Sequence, residues 1–187
     1  ADAERDGDLI YGTLLGANVS NAGCGLPLKP HTESEYQCLA DTYNKFGIAP
    51  ESVQYVECHA TGTPQGDLCE LQALRKLFGE QMPLIGSTKG NFGHTLTAAG
   101  FAGACKLLLA MKHGVIPATP KVSKPLDHRV VNKTCVECGE GLTNLAGDDE
   151  SGDDTECRGY GSGAGDVYGE WSVFTALAVA FAAAILC

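Results

Sequence analysis

Two histidines stand in glycine-rich company at positions suited to chemistry: His59 in VECHATGTPQGD and His94 in STKGNFGHTLTAAG. A neutral imidazole can donate one hydrogen bond. Two such donors converging on a thioester carbonyl would stabilise the negative charge that develops when an adjacent carboxylate leaves as carbon dioxide. Gly62, Gly66, Gly90 and Gly93 allow the tight turns and close backbone approach that a substrate needs. Lys89, five residues before His94, adds a positive charge to the second group. The plainer use of each histidine is a cap or core group satisfied by backbone, and of Lys89 a solvated loop residue.

The elements that must position these residues follow from periodicity. Residues 9–21 mix β-branched and aromatic residues with glycine and read as a strand leaving into a turn. Residues 32–46 place Tyr36, Leu39, Ala40, Tyr43 and Phe46 at helical spacing, with Thr32 and Glu35 as a capping box. A short strand over 53–59 then enters the loop TGTPQG, and a helix follows over 67–78. Residues 83–87 form another strand, and a helix rich in Ala and Gly runs over about 95–113, with little charge before Lys106. Such a helix should be buried. Alternating strand and helix predict an α/β layered domain with a mainly parallel sheet. His59 then ends a strand and His94 opens a helix, whose dipole would disfavour the imidazolium.

Other reactive groups are weaker candidates. Cys58 adjoins His59, but neighbouring strand residues point to opposite faces. Cys24 has no base or helix N-terminus beside it. Cys135 and Cys138 form a single C-x-x-C, with His128 and Cys157 as further possible zinc ligands, whereas structural zinc usually takes two tight ligand pairs. Asp67 and Glu70 could pair as acids, yet Asp67 is placed to cap its helix, which is the preferred reading. His31, His113 and His128 read as surface residues.

Taken in order, the two histidine segments resemble the two histidine motifs in the C-terminal half of β-ketoacyl synthases, over residues 9 to about 120. The resemblance implies half of a thiolase-like αβαβα fold. It also implies a part in the decarboxylative Claisen condensation of an acyl thioester with malonyl-acyl carrier protein, in fatty-acid or polyketide synthesis. His59 and His94 would hold the malonyl thioester carbonyl, Lys89 would support His94, and Thr61 and Thr63 would line the pantetheine arm. No cofactor is expected on the chain itself, because phosphopantetheine is carried by the acyl carrier protein. The family's nucleophilic cysteine belongs to its N-terminal half, and none of the nine cysteines here has that motif's neighbours. The N-terminal half or a second subunit is therefore an implied partner, with a homodimer in the complete enzyme. The alternatives are a catalytically incomplete remnant that binds a carrier protein or synthase subunit, and a membrane-anchored interaction module.

Composition narrows the classes. Net charge is -10 and no cluster of Lys and Arg is present, which argues against nucleic acid. An odd number of cysteines without a tight framework suits a reducing, soluble compartment, cytoplasmic or organellar. Ala1 and the early strand-like run suggest a piece of something longer. Past residue 120 the character changes. Residues 121–171 are acidic and glycine-rich, with GYGSGAGD at 159–166 as a degraded echo of the family's glycine-rich ending, and 172–187 form an apolar segment short for a bilayer span.

Overall fold

A short parallel sheet organises the chain. The computed structural model describes residues 2–21, 30–131 and the backbone of 136–137. Helix α1 (Asp2–Asp6) is followed by α2 (Thr32–Phe46), strand β1 (Tyr55–Glu57), α3 (Pro64–Phe78), β2 (Leu84–Gly86), the short α4 (Lys89–Phe92), α5 (Ala99–His113), β3 (Val115–Ile116) and β4 (Val136–Glu137). β1 and β2 pair in parallel, Tyr55 opposite Leu84 and Glu57 opposite Gly86, with α3 as the crossover that a parallel pair requires. The chain returns beyond Pro120 to the other edge of β2. There the Ile85 N–H donates to the Arg129 carbonyl and the Val131 N–H to the Ile85 carbonyl, both at 3.0 Å. Asp127 fastens this return to α3 by accepting from Arg75 at 2.6 Å. β3 and β4 pair antiparallel.

The two-residue period of β1 separates two cores. Val56 and Cys58 pack with Tyr43, Leu71, Leu74, Phe78 and Ile85, between the sheet and the pair α2 and α3. Tyr55 packs the other way, with Leu107, Ile116 and Val131, under α5. The layers are therefore helix pair, sheet, helix, in agreement with the α/β expectation.

The helix ends reflect local chemistry. α3 opens on Pro64, whose missing N–H needs no partner there. α2 and α5 stop at Gly47 and Gly114, both in the left-handed region that glycine adopts freely. The capping box expected from Thr32 and Glu35 is not what starts α2. Extended His31 is the cap, its Nδ1 accepting the Ser34 N–H at 3.2 Å, while Thr32 is already helical and donates to Gln72. His31 is exposed as expected, but it has this structural task.

Two further expectations are corrected. Residues 9–21 form no strand; the segment lies along helices instead, Gly12 packing beside Leu108 and Met111 of α5 and Gly16 beside the Phe46 ring of α2. α5 is not buried on most sides. Gly103, Lys106 and Leu107 are covered, whereas Phe101 is 75% and Leu109 50% exposed. Only one sheet lies against the helix, and no described layer covers its opposite face. Among the described residues no helix is long and apolar enough to cross a membrane. The acidic and glycine-rich stretch from 138 on, GYGSGAGD and the apolar tail lie outside the described residues.

Candidate active site

The end of β1 bends sharply into the loop that carries His59. The Cys58 N–H still donates across the sheet, to the Gly86 carbonyl at 2.7 Å. The next two N–H groups leave the ladder: His59 donates to Glu70 Oε1 at 2.6 Å and Ala60 to Glu70 Oε2 at 2.9 Å. Ala60 takes φ +33°, a region an alanine rarely adopts, and Gly62 takes φ +80°. Gly62 donates to Asp67 Oδ1 at 3.2 Å. Both carboxylates of the supposed acid pair are thus occupied in holding the loop. This corrects the capping role expected of Asp67: α3 starts at Pro64 with Thr63 as its cap residue, so Asp67 already lies within the helix and reaches back to Gly62. Burial pushes the Glu70 carboxyl upward, opposed by the two N–H donors.

His94 is held differently. Gly93 turns the chain at φ +76°, and Leu96, at φ +51°, donates its N–H to His94 Nδ1 at 3.1 Å. With Nδ1 accepting this bond, Nε2 is the ring nitrogen left to donate to a ligand. The expected helix-dipole effect does not provide this, because the turn Leu96–Ala98 intervenes and α5 begins only at Ala99.

These two devices bring the rings together. His59 and His94 stand edge to face, centroids 5.4 Å apart and planes at 85°. Burial lowers the His59 pKa, then the charge of Lys89 and, when its ring is protonated, that of His94, against the pull of Asp67. Lys89, the first residue of α4, therefore belongs to the same electrostatic neighbourhood, and its charge also reaches Glu70. Thr61 and Thr63, with hydroxyls 3.2 Å apart, lie on the rim of the loop beyond His59. Two imidazoles side by side, with the Lys89 cation in the same neighbourhood, can donate to one developing oxyanion.

Cys58 faces away from this cluster, as strand alternation predicts. It is buried in the core of α2 and α3, its thiol directed at the Val56 carbonyl and pushed well upward by burial. His128 is exposed beside Asp127 and Arg129; Cys24, Cys135, Cys138 and Cys157 lie outside the described residues. His113 is exposed in the last turn of α5. Glu70 is the site residue that sequence reasoning set aside; its signal was a carboxylate in the second turn of the helix that follows the His59 loop.

Comparison with known proteins gives a consistent result. The family described as "Beta-ketoacyl synthase, C-terminal domain" matches residues 11–123. The chain is 64% identical over 132 residues to a subunit of the polyunsaturated fatty acid synthase of Thraustochytrium sp. (strain ATCC 26185 / S-3), a match covering 70% of this chain and 6% of that protein. Among solved structures, the PfaC keto synthase-chain length factor superposes with TM-score 0.70 at 40% identity, over 73% of this chain and 16% of that one. The ketosynthase from module 6 of the bacillaene synthase of Bacillus subtilis 168 gives TM-score 0.67 at 38% identity, over 74% and 27%. The layers described above are those of a thiolase-like ketosynthase, and the chain spans only a small part of each relative.

Proposed function

Because this chain belongs to the β-ketoacyl synthase family through its C-terminal domain, we propose that it supplies the decarboxylation half of a condensing site and acts within a complete ketosynthase. The observation that carries the proposal is the edge contact of His59 and His94, two rings 5.4 Å apart with the His94 Nδ1 engaged by the Leu96 N–H, which leaves Nε2 to donate. Malonyl thioester would enter with its carbonyl oxygen accepting from both rings. The carboxylate leaves as carbon dioxide, and the electrons of the breaking carbon–carbon bond form the enolate. Its negative oxygen is stabilised by the two donors, and the charge of Lys89 supports His94. The enolate carbon then attacks an acyl thioester, the new carbon–carbon bond forms, and the acyl group's thiolate departs. That thiol belongs to the N-terminal half of the synthase or to a second subunit, since Cys58 is buried on the wrong face.

Thr61 and Thr63, on the loop beyond His59, would contact a pantetheine arm delivered by acyl carrier protein. The exposed apolar face of α5 is where the missing half would pack, because a stripe of this size rarely stays open to water. The test is carbon dioxide release from malonyl thioester by the complete enzyme. Release that disappears in His94→Ala supports the reading. Equal release by the two, or carrier-protein binding with no release from the unaltered enzyme, would replace it with a binding role.

A further inference from the structure

Beneath the two histidines lies a buried charge pair. Glu57 precedes His59 by two residues on β1, and Lys106 lies on α5; their side chains are 6% and 7% exposed. Lys106 Nζ is 2.9 Å from Glu57 Oε2 and donates to the Tyr55 hydroxyl at 2.7 Å, and that hydroxyl donates to the same Oε2 at 2.9 Å. The second oxygen, Oε1, accepts from the Thr88 N–H and, at 3.0 Å, from the Thr88 hydroxyl. Thr88 is the residue from which α4 starts, immediately before Lys89. One carboxylate therefore binds the three elements that carry the site: β1 with His59, the start of α4 with Lys89, and the helix that follows His94.

The surroundings are shaped to admit it. At Gly103 on α5 a Cβ would come to 3.0 Å from Glu57 Cγ, and at Gly86 to 2.5 Å from the Tyr55 hydroxyl. Burying such a pair is a poor route to stability, since well-packed apolar residues of similar volume commonly do as well or better. What a buried, fully bonded ion pair does supply is a fixed geometry, because Oε1 and Oε2 must each meet their partners at hydrogen-bond distance.

We propose that Glu57, neutralised by Lys106, is a positioning residue that sets the spacing of His59 against the α4 segment leading to His94. The inference rests on the decarboxylation reading above and deepens it. Glu57 touches no substrate; it acts through Thr88 and the strand.

The test uses the complete condensing enzyme and compares two half-reactions: acyl loading on its cysteine, which reports folding, and decarboxylation of malonyl thioester, which reports the histidine pair. The double variant Glu57→Gln/Lys106→Met removes the charge without leaving an unpaired ion. It is expected to load acyl groups at the unaltered rate, with kcat for decarboxylation about tenfold lower and KM changed less than about twofold. A double variant that loads normally and keeps kcat within about twofold of the unaltered enzyme overturns the proposal. Should that variant fail to load, Thr88→Val and Thr88→Ser decide. Valine removes the hydroxyl bond to Oε1 and should lower kcat, while serine should restore it; equal rates for all three overturn the proposal. If the unaltered enzyme and His94→Ala decarboxylate alike, the functional reading itself falls, a result distinct from either of these.

Discussion

The imidazole of His59 stands edge-on to that of His94, with centroids 5.4 Å apart and planes at 85°. The contact joins the end of a strand to a turn far along the chain, and each ring is set by a backbone residue at positive φ close after it, Ala60 and Leu96. Two donors so placed should act as one unit. Replacing either histidine by alanine is expected to slow decarboxylation by about a hundredfold or more, and the double replacement by little beyond that. Rates of carbon dioxide release from the three variants in the complete enzyme would check this; a product of the two single effects would show independent action.

The pH dependence has a definite sign. Burial, then Lys89 and His94, hold the His59 pKa below the ordinary 6.5. The ring therefore stays neutral, and donation persists, as pH falls through 6.5; the acid limb of the decarboxylation profile should lie lower. Lys89→Ala removes one of the depressing charges, so the limb should move upward, though not the whole way, because burial remains the larger cause. A limb unmoved in that variant would show that Lys89 does not act on His59.

Glu70 receives the His59 and Ala60 N–H groups, one on each oxygen. In Glu70→Gln one oxygen becomes an NH₂ group, which cannot accept, and a buried N–H loses its partner. The expected cost is about 1–3 kcal/mol in unfolding free energy, with slower decarboxylation as the strained Ala60 turn relaxes. Denaturant unfolding and carbon dioxide release measured on the same variant should change together; a rate loss without a stability loss would point to a direct part in the chemistry.

Much of this site was legible because its signals are local. The glycine-flanked histidine motifs need only a short stretch each, and strand alternation was enough to separate Cys58 from His59. The choice between Asp67 and Glu70 was not legible, since it depends on the helix starting at Pro64, a few residues before the apolar pattern declares itself. Nor was the pairing of Glu57 with Lys106, which joins two elements far apart in sequence through a packing geometry that no periodicity encodes. Residues 9–21 carry a strand's composition without a strand's partner. Composition records what a segment could pair with, whereas packing beside Leu108, Met111 and Phe46 lays this one along helices.

Gly90 makes a steric prediction. It lies between Lys89 and His94, and a Cβ there would come within 2.6 Å of the Pro120 carbonyl oxygen, a backbone atom with little freedom to yield. Gly90→Ala should cost about 1–3 kcal/mol and displace α4, lowering decarboxylation as well. Gly47→Ala, where a Cβ meets nothing but φ is +62°, should cost about 1 kcal/mol with the rate unchanged. Thermal unfolding and rate together would tell a displaced site from a merely weakened fold.

Glu35 gives a stability prediction whose direction runs against the usual carboxylate. Burial, with the charge of Glu70 as a second cause, raises its pKa from 4.5 to about 7. Between those values the folded chain holds a proton that the unfolded chain has lost, so stability falls as pH rises through the window. The favourable contribution is complete below 4.5 and gone above about 7. Allowing for the partial exposure of the side chain, the loss is about 1–2 kcal/mol. Glu35→Gln should remove this slope and leave the protein more stable than the unaltered chain on the alkaline side, with little difference at acid pH. Denaturant midpoints across the window would show it, and parallel curves for the two proteins would mean that Glu35 is ionised throughout and solvated well enough that its neighbour Glu70 does not matter.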